Sequence, residues 1–177
     1  MIDQDVLVKS VTEATSEVFS TMLDMQVRLS GPVGDALPSA SGLISLVGIT
    51  GEWGGSGMFC CSPLLASIIS SRMLGTEMDP SRPVVDEEVL DAVAEMTNMM
   101  IGNVKNALEP ITGALAISVP TVIHGRNFEF RNAGGLRGTA LSFLTAQERF
   151  EVRVALAPTA ERNAMRSRIP ILGLTNI

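Results

Sequence analysis

The stretch Asp86-Glu87-Glu88-Val89-Leu90-Asp91-Ala92-Val93-Ala94-Glu95-Met96-Thr97-Asn98-Met99-Met100-Ile101-Gly102-Asn103-Val104-Lys105-Asn106-Ala107-Leu108 decides how this chain is read. Acidic residues open it, as suits the positive end of a helix dipole. At about 100° per residue, Leu90, Val93, Thr97, Met100, Ile101, Val104 and Leu108 fall on one stripe. That stripe predicts a long amphipathic helix lying on a core. Asp91, Glu95, Asn98, Gly102 and Asn106 fall on the opposite face, about one turn apart. A solvated helix face is the plain reading of such residues. The same Glu-x-x-Asn spacing recurs at Glu129 and Asn132, so spacing alone decides nothing. Gly102 is harder to explain, because glycine inside a helix costs about 1 kcal/mol relative to alanine. A missing side chain one turn beyond Asn98 leaves room for another protein to approach.

Working outward, one pattern is used twice. Apolar residues recur at helical spacing from Asp3 to Leu23, and strand-like runs follow at 25–30, 42–50 and 56–62. Gly54-Gly55-Ser56 reads as the turn between the last two runs. Pro63 and Gly75 bracket a second helical stretch, proline first and glycine last. After a polar connector at 79–83 the cycle restarts, with the long helix at about 85–108. Strand-like runs at 115–124, 137–144 and 149–157 follow, then a short helix over 158–168. Two units, about 3–76 and 84–168, are therefore expected within a single domain spanning 1–177. Each unit would expose an apolar sheet face alone, so both should share one sheet and one core. The expected fold class is α+β: duplicated helix–three strands–helix units sharing a mainly antiparallel sheet, with two long helices packed on it. Several strand links are too short for parallel crossovers.

Composition narrows the chemistry. The 177 residues are 46% hydrophobic and 18% charged, which excludes a disordered acidic segment. A net charge of −6, with 13 scattered basic residues, argues against nucleic-acid binding. No apolar run is long enough to span a membrane, the first residues do not resemble a secretion signal, and a cytoplasmic location is expected. Cys60 and Cys61 are adjacent within an apolar run and read as buried strand thiols. His124 is the single histidine, which removes the usual zinc and Ser-His-Asp arrangements. The glycine-rich 51–57 segment lacks a Gly-Lys-Ser/Thr ending and reads as a hairpin loop. Most of the ten methionines fall at core positions, with Met99 an exception placed for contact with a partner.

The residues 90–103, followed by Ile117-Ser118-Val119-Pro120-Thr121-Val122-Ile123, resemble the signature of the CheC/CheX chemotaxis phosphatases, the CheX branch most closely. That signature is Asp or Ser, three residues, Glu, two residues, Asn, then roughly 22 residues and Pro. Asp91, Glu95 and Asn98 match it, and Pro120 follows after 21 residues. The resemblance implies a CheC-like fold and a phosphorylated CheY-like response regulator as partner and substrate. It also implies hydrolysis of that regulator's aspartyl phosphate. Asn98 would orient the attacking water, and Glu95 would pair with the regulator's lysine. Asp91, Met99 and Gly102 would support docking. No cofactor of its own is implied, since the regulator supplies Mg2+. CheC-type members repeat the motif on the first helix. Here Glu13 is present but Ser16 stands at the Asn position, which implies one site. Relatives dimerise through sheet edges, so a homodimer is expected. The competing expectation is a non-catalytic module that binds a response regulator or a flagellar switch component.

Overall fold

Three short polar side chains start three helices among the described residues. Asp3 accepts from the Asp5 amide (3.0 Å), Ser62 from Leu65 (3.0 Å) and Asp86 from Val89 (3.0 Å). Such caps contribute about 1 kcal/mol each. They open α1 (Gln4–Leu23), α2 (Pro63–Leu74) and α3 (Glu87–Thr112). Asp24 and Gly75 close α1 and α2 in the left-handed conformation. The computed structural model describes residues 2–34, 42–126 and 137–161.

The strands are β1 (Arg28–Pro32), β2 (Gly42–Gly51), β3 (Trp53–Cys61), β4 (Leu115–Ile117), β5 (Thr121–Gly125), β6 (Arg137–Leu144) and β7 (Arg149–Pro158). Among the described residues they form one seven-stranded sheet in the order β1-β6-β7-β3-β2-β4, with β5 also paired to β2. Every pairing is antiparallel. The order reads the same from either edge when β1, β2 and β3 are exchanged for β4/β5, β6 and β7.

One continuous core draws on both halves. Phe19 of α1 stacks on Phe150 of β7 at 4.6 Å between ring centres, and Phe59 of β3 meets both edge-on. Phe143 of β6 stacks on Phe150 at 5.3 Å. Stacked and edge-on pairs add about 0.5–1.5 kcal/mol each beyond area burial. Leu7, Val11 and Val18 of α1 join Val93, Met96, Met100, Ile101 and Val104 of α3 in this core. Helices α1, α2 and α3 cover this face. On the opposite face Ile44, Met58 and Cys60 form a second small apolar cluster. Burial pushes the Cys60 thiol up to about 12, and Cys61 is raised for the same reason. Both thiols are free and buried, matching the strand reading.

Several sequence expectations need correction. The segment from Gly54 to Gly57 is not a turn but part of β3, and the reversal lies at Gly51, whose φ is +137°. Glycine lets the backbones of β3 and β7 approach closely, so its presence marked proximity, not reversal. The strand expected at 25–30 is displaced to Arg28–Pro32. The single run expected at 115–124 is two strands. Helix α3 runs a turn past Leu108 despite Pro110, because that proline sits in an exposed final turn where water can serve the freed carbonyl. On α3, Leu90 sits at the stripe's border, while Val89, Ala92 and Met96 are fully inside. Glu129, Asn132, most of the helix expected over 158–168 and the tail at 169–174 lie outside the described residues.

Candidate functional site

Helix α3 packs against α1, α2 and β4, with its N-terminal cap at Asp86 and its last turn against β4. Its buried stripe fixes the rotation of the whole rod. Thr97, fully buried, is satisfied by donating to the Val93 carbonyl (2.7 Å). The residue after it is therefore carried outward. Asp91 and Glu95 are exposed, and Asn98 and Gly102 are half-buried at the surface. Their i, i+4, i+7 and i+11 spacing keeps them within about 60° of one another around the axis. They form a ridge about 16 Å long, with Glu95 and Asn98 about 4.5 Å apart along it.

Among the described residues, Asp91, Glu95 and Asn98 make no side-chain hydrogen bond or ion pair within the chain. Their polar groups face water. Gly102 has no internal reason to be glycine. A Cβ there would meet only the tip of Ile117, at 3.9 Å, which is ordinary contact. Met99 is half-buried on the flank of the ridge and packs against the core. Among the described residues there is no group of three or more His, Cys, Asp or Glu side chains that could hold a metal ion. No helix of the described residues is long and apolar enough to cross a membrane.

Two further features border the ridge. From α1, Glu17 accepts a hydrogen bond from the Asn103 side-chain amide (3.3 Å), bringing a second acid beside α3. In the last turns of α3, Glu109 pairs with Lys105 (2.7 Å) and accepts from the Leu115 amide (3.1 Å). Those two hydrogen bonds, from Lys105 first and then Leu115, hold its carboxyl below the usual carboxylate range. They also clamp the start of β4 to the helix. The break between β4 and β5 was signalled by Pro120, because proline inside a strand pattern belongs at an edge or a bulge.

The corresponding face of α1 repeats the layout without the amide. Thr15 is buried and donates to Val11 (2.7 Å), as Thr97 does to Val93. Glu13 is exposed and Ser16 half-buried, as Glu95 and Asn98 are. Glu13 lies 3.8 Å from Lys9.

The chain matches the family described as "Chemotaxis phosphatase CheX" over residues 43–144. It is 29% identical over 115 residues to the CheY-P phosphatase CheX of Thermotoga maritima, covering 64% of this chain and 71% of that protein. The crystal structure of a chemotaxis protein CheX from Desulfovibrio desulfuricans superposes with a TM-score of 0.73 at 26% identity, covering 85% of this chain and 99% of that one. The CheX–CheY–BeF3–Mg2+ complex from Borrelia burgdorferi gives 0.70 at 25% identity, covering 88% and 99%. The family match spans more than half of the chain and contains the ridge helix and Pro120, so the chain belongs to the CheX chemotaxis phosphatase family.

Proposed function

We propose that the chain hydrolyses the aspartyl phosphate of a CheY-like response regulator, with the α3 ridge as its working surface. The observation that carries this reading is the Glu95–Asn98 pair, surface-held on a rigid helix and without a partner among the described residues. Phosphoryl transfer asks mainly for positioning and for stabilisation of charge. When bound in the regulator's own pocket, Mg2+ supplies charge neutralisation at the phosphoryl oxygens. The ridge supplies what is missing, an oriented water.

Asn98 is an uncharged amide that both donates and accepts, so it can hold a water in line without repelling the anion. Water adds to phosphorus, the bond to the carboxylate oxygen breaks, and the products are inorganic phosphate and the free aspartate. Glu95, one turn earlier, pairs with the regulator's lysine and fixes the register of docking. Asp91 extends the acidic edge, and Gly102 leaves the clearance that a partner loop needs. The repeated Glu-x-Thr layout on α1, together with the symmetric strand order, supports reading the two halves as copies of one unit. Ser16 leaves only the second copy equipped.

The test is decay of acyl phosphate from the source organism's purified CheY, with and without this protein. Decay should accelerate by well over tenfold at saturating protein. Glu95→Ala should both raise KM and lower kcat, by about tenfold in kcat/KM, since it removes a charge-assisted contact of about 1.5–3 kcal/mol. A slower rate at unchanged affinity would count against the lysine pairing, and no acceleration by the parent protein would end the enzymatic reading.

A further inference from the structure

The outer strand beside β2 has one residue too many. Ile117 of β4 pairs with Ile49, and Thr121 of β5 pairs with Leu46. Ser118, Val119 and Pro120 therefore oppose only Val47 and Gly48. This is a β-bulge, a device that re-aims a side chain at the edge of a sheet. It is firmly held. The Ser118 amide donates to the Gly48 carbonyl (2.9 Å), and the Gly48 amide donates to the Ser118 hydroxyl oxygen (2.9 Å). That hydroxyl in turn donates to the Val119 carbonyl (3.0 Å). Pro120, with no amide hydrogen, forfeits nothing here.

The extra residue shifts the inward–outward alternation, so Val122 still packs against the core while Val119 is turned out. Val119 is 85% exposed, the most exposed large apolar side chain among the described residues. Its position is set by α3. Leu115 is tied to Glu109, and Ile117 lies against the open side of Gly102, so the strand runs back along the helix. Two residues further along, Val119 follows directly on the Ile117–Gly102 contact that borders the ridge.

We propose that Val119 is the anchor of a second, apolar docking contact, seated against apolar surface at the rim of the receiver domain's acyl-phosphate pocket. This rests on the response-regulator reading above. The other half of the molecule favours that occupant over a second copy of the chain. Its edge strand β1 also carries a one-residue bulge, where Leu29 pairs with Phe143 and Gly31 with Ser142. The bulged residue there is Ser30, beside a helix with Ser16 in place of the amide. The half without the amide is also without the anchor. Burying an exposed valine adds an apolar share of affinity beside the charge-assisted contact of Glu95.

Val119→Asp, Val119→Ser and Val119→Ile leave the core untouched. Their affinities for the source organism's CheY, activated with beryllium fluoride and Mg2+, can be read by calorimetry, with KM and kcat from acyl-phosphate decay. Val119→Asp should raise Kd and KM about tenfold. Val119→Ser should show a smaller rise, and Val119→Ile should match the parent. Asn98→Ala should lower kcat without that rise in Kd, so the two ideas fail separately. An unchanged Kd for Val119→Asp overturns the proposal, and so does a variant that alters only self-association, measured by sedimentation.

Discussion

Asn98→Ala is expected to lose at least about 100-fold of the stimulated acyl-phosphate hydrolysis while leaving thermal stability unchanged or slightly higher. The scale is that of removing one oriented polar group from a charge-developing transition state. The direction on stability follows from position. Asn98 is half-buried on the solvent side of α3 and has no internal partner among the described residues, so truncation breaks nothing in the fold. Alanine is the better helix former at such a site, by a few tenths of a kcal/mol. Loss of rate with retained affinity for activated CheY identifies the amide as a group acting on the reacting water. Asn98→Asp sharpens the result. It keeps size and an acceptor but brings a negative charge toward an anion, and should be no more active than alanine. A full rate in Asn98→Ala would remove the carboxamide from the mechanism, even if docking along α3 survived.

The same helix shows what a sequence can and cannot reveal. Its rotation was legible because burial has a period: Val93, Met100, Ile101, Val104 and Leu108 all lie at or below 1% exposure, as the stripe required. The proline start at Pro63, the acidic opening after Asp86 and the stop at Gly75 were legible for a similar reason, since each rests on chemistry local to a few residues. The site residues came from the motif on that helix together with the family resemblance, and their outward placement follows from the stripe. The bulge was hidden because it exists only relative to β2. A one-residue offset between two strand segments cannot be seen in one of them alone. Glu17 beside Asn103 was hidden for the same cause, as the two meet only when α1 lies across α3. The error at Gly54–Gly57 has a different origin. Glycine marks both a chain reversal and a place where two backbones nearly touch, and composition does not distinguish them.

That distinction makes two glycines respond oppositely to the same change. Gly55 is the third residue of β3, between β2 and β7, opposite Ile49 and Leu156. A side-chain carbon there would overlap the carbonyl oxygen of Ala155 and come within 2.8 Å of its carbonyl carbon. Both are backbone atoms of the central β3–β7 pairing, the seam that joins the two halves of the sheet, so no rotamer change can relieve the clash. Overpacking ordinarily costs about 1–3 kcal/mol, and a rigid backbone obstacle lies at the upper end or beyond. Gly55→Ala should therefore destabilise the protein by at least about 3 kcal/mol, lowering the unfolding midpoint by about 6–12 °C for a chain of this size. Gly102→Ala is the internal control, because it meets only Ile117 at contact distance. Helix propensity alone should then stabilise it by up to about 1 kcal/mol. Far-ultraviolet circular dichroism during heating, with urea titration for the free energies, measures both. If Gly55→Ala unfolded within about 1 kcal/mol of the parent, a spread larger than exposed-surface changes usually produce, the close approach of β3 and β7 would be overturned. If it alone collapses while Gly102→Ala gains, the first glycine is there for this fold's own backbone. The second is then free to serve whatever comes to rest beside Asn98.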